Sequence, residues 1–341
     1  MYRFTHSNAY SWEEAVALTK GKKAAVIAGG TDLITVMKGM CIPEAVAPEV
    51  LVNIKTIPGA NGISVATDGT LVIGALATLT AIATDQRVIS DWKALAVAAE
   101  KVGSPELRNA GTIGGNISQK PRCLYYRLDN NRFWCARKKG SPDNTCYANA
   151  KSPVTGLQGI HRYHSIFGQV AGCYAVCPSD TAPALVALKA KIVTTSATYD
   201  AQDFFDIKSS HSDQMNVLAD GELIKEIRIP KPAAGTKSIY RKFAFRKAID
   251  FPLVSVAAVI TTSGGSVSAA SIALGGVAIA PRVAEEAESS IKGKAINAAN
   301  ALAAGDAAVV PAANSKTTMP KAFYKAEVAK TLIARAIQDC A

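Results

Sequence analysis

Ala24-Ala25-Val26-Ile27-Ala28-Gly29-Gly30-Thr31-Asp32-Leu33 reads as a buried strand, a glycine turn and the start of a helix. Consecutive apolar residues suit a short strand covered on both faces, paired glycines break it, and the apolar stretch Leu33 to Met37 resumes as helix. Working outward, Ser11 is a good helix N-cap followed by Glu13 and Glu14 at the positive end of the dipole, predicting a helix to about Lys20. Strands are expected at Val50 to Ile54 and Leu71 to Leu76, with helices at about Thr78 to Ala83 and Asp91 to Val102. The first hundred residues therefore alternate α and β. A second glycine signature, Gly111-Thr112-Ile113-Gly114-Gly115-Asn116, follows a helix. Glycine lets the backbone approach a diphosphate, and bare N–H groups at a turn or helix start stabilise its charge. Two such loops would clamp one dinucleotide, although either alone is more often an ordinary tight turn. Neither carries the G-x-G-x-x-G spacing, so a Rossmann NAD site is not supported.

A chain of 341 residues has room for two or three domains. With 49% apolar and 19% charged residues it is expected to be globular, not disordered. Residues 1–11 lack the apolar core of a signal peptide, and no run approaches the ~18 apolar residues of a membrane span, so neither export on its own signal nor membrane insertion is expected. The formal charge of +11 is scattered, without an aromatic-interleaved basic stripe or recognition helix. That favours an acidic protein partner over nucleic acid.

From Asp180 regular structure resumes as an apolar helix to Leu188 and a strand at Lys191 to Thr195, and a domain boundary is expected between residues 196 and 235, where Asp, Ser and Pro accumulate. Strands follow at Leu223 to Ile229 and Ile239 to Phe245. Val254 to Thr262 and Val267 to Leu274, joined by Ser263-Gly264-Gly265, form an expected antiparallel hairpin. Helices close the chain at about Ala280 to Ile291 and Ala326 to Ile337, with helix and loop at 296–318.

Between Asn116 and Asp180 lies a polar, tyrosine-bearing stretch with little periodicity, of a length that compact domains seldom leave structureless without a function. Five of the seven cysteines fall in it, spaced Cys123-x11-Cys135-x10-Cys146-x26-Cys173-x3-Cys177. This is not the C-x2-C pairing of zinc ribbons or compact ferredoxin loops. Four thiolates suffice for a [4Fe-4S] cluster; zinc, disulfides in an exported chain, and unrelated reduced thiols remain alternatives.

Six ordered motifs resemble the FAD-binding medium (M) subunits of the xanthine dehydrogenase and carbon monoxide dehydrogenase family of molybdenum hydroxylases. They are VIAGGTDL (26–33), LRNAGTIGGN (107–116), PSDTAPAL (178–185), GELIKEIRIP (221–230), YRKF (240–243) and ALGGVA (273–278). The resemblance implies an α+β fold: a two-part FAD-binding domain of the vanillyl-alcohol-oxidase-like type, at 1–55 and 56–230, then a C-terminal α/β domain with an antiparallel sheet at 231–341. It also implies FAD contacts from Val26, Ile27, Ala28, Gly29, Gly30, Thr31, Asp32, Leu33, Val102, Thr112, Ile113, Gly114, Gly115, Asn116, Asp180, Leu223 and Lys242. Without the family, Asp180 reads as a plain helix N-cap, Leu223 as a core strand residue and Lys242 as a solvated strand charge.

The insertion at about 117–177 departs from most members, which join the Gly-Gly-Asn loop to the Ser-Asp motif by a short link. It is similar to that of the FAD subunits of bacterial periplasmic aldehyde oxidoreductases and, more distantly, of 4-hydroxybenzoyl-CoA reductases, which carry a [4Fe-4S] cluster here. The Arg122-Cys123 pair and Cys173 fit that pattern, implying Cys123, Cys135, Cys146 and Cys173 as ligands, with Cys177 as alternate fourth. His161 and His164 are expected to be surface or hydrogen-bonding residues. No nucleophile elbow, H-E-x-x-H or Walker A motif appears, so cofactors are expected to carry the chemistry. The implied partners are a molybdenum-cofactor large subunit, a [2Fe-2S] small subunit and an external electron acceptor. The implied compartment is cytoplasmic by default, or periplasmic through co-export with a partner. A stand-alone flavoenzyme and a structural subunit that has lost flavin are the competing expectations.

Overall fold

The computed structural model describes residues 1–129, 133–138, 146–149, 159–207, 215–313 and 320–341. Expectations at the remaining positions of the insertion, of the 196–235 boundary and of 296–318 lie outside the described residues. Three sheets follow one another along the chain. The first is parallel: β1 (Thr5–Asn8) and β2 (Ala24–Ile27) flank β3 (Val50–Asn53), with α1 (Trp12–Thr19) and α2 (Leu33–Lys38) as connections. Ser11 caps α1 as its sequence predicts, its Oγ accepting from Glu14 N at 3.1 Å.

The second sheet has five strands in the order β4 (Ile63–Val65), β5 (Leu71–Gly74), β8 (Ile224–Ile229), β6 (Lys191–Thr194) and β7 (Thr198–Asp200), all antiparallel. Before β6 come α3 (Leu79–Thr84), α4 (Gln86–Asp91), α5 (Lys93–Glu100), α6 (Pro105–Ala110), α7 (Ile113–Ile117) and α8 (Thr181–Ala187), and α9 (Ala201–Phe204) follows β7. Two expected helices thus become three because the carboxylate of Asp85 caps a new one, accepting from Arg87 N and Val88 N. β8, within the span expected to hold the domain boundary, sits at the centre of this sheet, so the passage to the third sheet falls after Ile229.

The third sheet runs β9 (Thr236–Phe243), β10 (Val254–Ser263), β11 (Ser266–Gly275), β12 (Arg282–Val283), antiparallel throughout. The Gly264-Gly265 hairpin forms as expected, both glycines at positive φ. Arg282 and Val283 pair with Leu274 and Ala273, so the expected helix from Ala280 starts only at α10 (Glu285–Ile291). α11 (Ala298–Ala313) and α12 (Tyr324–Gln338) complete the domain. Among the described residues no helix is long and apolar enough to cross a membrane.

Among its described residues the insertion has little regular structure of its own, and these borrow a core. Tyr125, Ala148, Ile166 and Tyr174 are buried in one cluster with Val254 and Val256 of β10 and Ile333 and Ile337 of α12. Lys325 ties the two together: fully buried, its Nζ donates to Tyr163 O, His164 O and Gly276 O at 2.8 to 3.1 Å. Three acceptors for three N–H groups is what makes a buried ammonium tolerable.

Candidate functional site

The two glycine signatures meet. A Cβ on Gly29 would stand 2.0 Å from the carbonyl oxygen of Ala110, so only glycine lets the first loop lie against the second. Gly30 takes φ +70°, turning the chain from β2 towards α2. Among the described residues nothing accepts from the N–H groups of Gly29, Gly30 or Thr31. The second signature behaves differently from the first. It is a helical turn, not an open loop: Thr112 Oγ1 caps α7 by accepting from Gly115 N, while Gly114 N donates to Ala75 O and Asn116 N to Thr112 O. Its amides are engaged, and its contribution is a wall without side chains, since a Cβ on Gly115 would meet only Thr112 Oγ1. Asn116 is fixed by accepting from Ser179 Oγ and Thr181 Oγ1 through Oδ1.

Between these walls opens a cleft of about 570 Å³, lined by Val26 to Leu33, Val102, Thr112, Gly114 to Asn116, Asp180 and Leu223. A second hollow of about 810 Å³ continues on the other side of the Gly29-Gly30 turn, past Lys55 and Pro58. Ile113 is the one expected contact of the second signature that turns into the core. Leu223 precedes β8 and lines the cleft while buried. Apolar walls with a few polar groups and open backbone amides are the ordinary composition of a cofactor site.

Asp180 and Lys242 depart from their plain structural readings. Asp180 stands at the N-cap position of α8 but does not cap; Ser179 Oγ accepts from Ala182 N instead. Its carboxylate accepts from Tyr240 Oη at 2.5 Å and from Lys242 Nζ at 2.8 Å. The Lys242 side chain is 9% exposed and that of Asp180 3%, so Lys242 is not a solvated charge. Burial raises the Asp180 pKa above its ordinary value, while Lys242 and Tyr240 oppose the rise. β9 is an edge strand, yet α5 packs against it and Lys242 Nζ also donates to Lys101 O just beyond that helix at 2.9 Å, which is why a charge there is buried.

Asp32 also does other work than capping α2. Its carboxylate accepts from Lys120 N at 2.7 Å and pairs with Arg122 at 2.6 Å and Arg127 at 2.8 Å, tying the first glycine loop to the start of the insertion. Sequence reasoning missed both arginines as partners of this loop; the only signal was the Arg122-Cys123 dipeptide.

All seven cysteines are free thiols. Cys123, Cys135, Cys146 and Cys173 share one neighbourhood, for ionising Cys123 is opposed by charge on each of the other three. Burial pushes the Cys123 and Cys135 thiols up and that of Cys146 to about 12. Cys177 faces elsewhere: it belongs to the core of the second sheet and feels Asp180. Two cations lie beside this group. Arg137 Nε donates to Cys173 Sγ at 3.0 Å, the charges of Arg137 and Lys138 favour the Cys135 thiolate, and both side chains are buried. His164 and His161 are buried rather than on the surface. His164 Nε2 lies 3.3 Å from Cys123 Sγ, and His161 accepts from Lys321 N. Among the described residues no three His, Cys, Asp or Glu side chains are drawn together tightly enough to enclose an ion.

Residues 2–232 match the family described as FAD binding domain in molybdopterin dehydrogenase, and residues 238–340 match the CO dehydrogenase flavoprotein C-terminal domain. The chain is 34% identical over 284 residues to the aldehyde oxidoreductase FAD-binding subunit PaoB of Escherichia coli, covering 82% of each. It is 29% identical to the carbon monoxide dehydrogenase medium chain of Hydrogenophaga pseudoflava, over 98% of this chain and 96% of that one. The solved carbon monoxide dehydrogenase of H. pseudoflava lacking the Mo-pyranopterin moiety has a chain of the same fold, with TM-score 0.72 at 28% identity and coverage of 98% and 96%.

Proposed function

Because the chain belongs to the family of FAD-binding medium subunits of molybdenum hydroxylases, we propose that it is the electron-transfer subunit of such a complex and holds a [4Fe-4S] cluster beside its FAD. In this reading electrons pass between [2Fe-2S] clusters of a small partner subunit and an external acceptor, while a molybdenum subunit acts on the substrate. When bound, FAD exchanges one or two electrons and a [4Fe-4S] cluster one, which joins single-electron centres to a two-electron acceptor.

The observation that carries the flavin part is the meeting of Gly29-Gly30 with Ala110-Gly111 beside a cleft walled by Asp180 and Leu223. The open amides of Gly29 to Thr31 suit diphosphate oxygens, Asp180 is held in one orientation by two donors, and Val102 and Leu223 exclude water. The cluster part rests on the donor set. Three thiols whose pKa values desolvation raises stay protonated at neutral pH unless a cation takes the thiolate, and Arg137 and Lys138 offset part of the negative charge that four thiolates bring. We assign Cys123, Cys135, Cys146 and Cys173 as ligands, and leave Cys177 out because it faces Asp180 in a different core.

Single Cys→Ser variants of the intact chain test this through iron and sulfide content. Each of the four is expected to lose most of its iron while C177S keeps it; loss in C177S with retention in C173S would reverse the assignment of the fourth ligand, and full retention in all four would overturn the ligand assignment.

A further inference from the structure

Arg122 belongs to the insertion and to neither glycine signature, yet it lines the same cleft as Gly29, Gly30 and Asp180. Its guanidinium and that of Arg127 both bind Asp32 Oδ1, at 2.6 and 2.8 Å. Two arginines thus stand against one carboxylate, with side chains only 24%, 17% and 16% exposed for Arg122, Arg127 and Asp32. Partly buried charge in surplus calls for a counter-charge. Arg122 Nε is buried without a hydrogen-bond partner, a donor left over after Asp32 is satisfied. The guanidinium lies over the ring of Phe251, 4.5 Å from its centroid, and Phe251 also lines the cleft, so the fork is held in one plane at the cleft wall.

We propose that Arg122 is an anion-binding residue of the flavin cleft, supplying from the insertion a charge-assisted contact to the diphosphate of FAD that complements the open amides of Gly29 to Thr31. The proposal rests on the FAD reading of the cleft. The neighbouring thiols offer another anion, but the contacts to their sulfurs come from Arg137 and His164, and Arg122 turns to Asp32 and the cleft. Arg127 makes the same contact to Asp32 without lining the cleft, and so serves as the internal control for a purely structural role.

The test is titration of the deflavinated full chain with FAD, ADP and riboflavin, in wild type, R122Q, R122K and R127Q, with iron content read on each preparation. R122Q is expected to weaken both FAD and ADP by about tenfold or more, the scale of one lost charge-assisted hydrogen bond. Riboflavin, which has no phosphate, should bind R122Q as it binds wild type. R122K should fall between, and R127Q should stay within about threefold of wild type. Unchanged FAD and ADP affinity in R122Q overturns the inference, as does an equal loss for riboflavin or an equal loss in R127Q. Wild type that binds neither FAD nor ADP sinks the cleft reading itself. A fall in iron with diphosphate binding intact would assign Arg122 to the thiols instead and likewise overturn the inference.

Discussion

Replacing Lys242 by Met is expected to cost about 3 to 5 kcal/mol of stability at pH 8. Lys242 Nζ lies 2.8 Å from Asp180 Oδ2, and both side chains are nearly out of contact with water. Methionine fills much of the lysine's volume but leaves Asp180 with Tyr240 as its remaining side-chain donor. The loss is a large part of the ~5 to 15 kcal/mol that holds a domain together. The sign of the pH dependence follows from Asp180. Its folded pKa is already above the ordinary 3.8 because of burial, with Lys242 the main opposing influence, so the variant raises it further. A carboxyl with a raised folded pKa contributes stability in full below its unfolded pKa, and that contribution is lost as pH rises through the folded pKa. The deficit of K242M should therefore be small at pH 4 and grow towards pH 8. Urea unfolding of the deflavinated chain at several pH values measures it. The double variant K242M/D180N, which removes both charges, should recover most of the loss. A deficit under about 1 kcal/mol at pH 8, or one that the double variant does not reduce, would refute the buried-pair argument.

Other outcomes follow from single contacts. Gly29→Ala places a methyl 2.0 Å from a backbone oxygen that cannot swing aside, so the loops must part; FAD content after purification should drop well below one per chain, and a fully flavinated G29A would contradict the packing described. Lys325 should give a pH signature of the opposite sign to Asp180. Burial pushes its pKa down to about 7 from 10.5, so the unfolded chain binds more protons between those values. Wild-type stability should rise with pH across that window by up to about 1.4 kcal/mol per pH unit relative to K325M, and parallel profiles would show that the three carbonyl acceptors keep the ammonium intact throughout.

Elements whose pattern is local were legible in the sequence. β2, the Gly29-Gly30 turn and α2 fall where apolar run, glycine pair and apolar helix place them, and the Gly264-Gly265 hairpin is equally direct. β12 was not, because a two-residue strand carries no periodicity and exists only through its pairing with β11. In the site, residue identities were legible but their partners were not. Asp32 reads as part of a phosphate loop, yet its carboxylate is claimed by arginines some ninety positions away, a relation created by the fold. Lys242 looks solvated because it follows Arg241 in YRKF, and only the helices packed on β9 reveal that it is buried. The separation of Cys177 from the other four cysteines of the insertion likewise cannot be read from a spacing of three residues, since the chain between Cys173 and Cys177 passes from one core into another.

The central claim, that one chain holds both FAD and a thiolate-bound iron-sulfur cluster, is tested most directly by anaerobic flavin, iron and sulfide analysis of the purified protein, with EPR spectra before and after dithionite. About one FAD and about four iron per chain are expected, with a signal of a reduced [4Fe-4S] cluster appearing on reduction. Flavin without iron would remove the cluster and leave the FAD subunit standing, whereas zinc without flavin would contradict the account at its root.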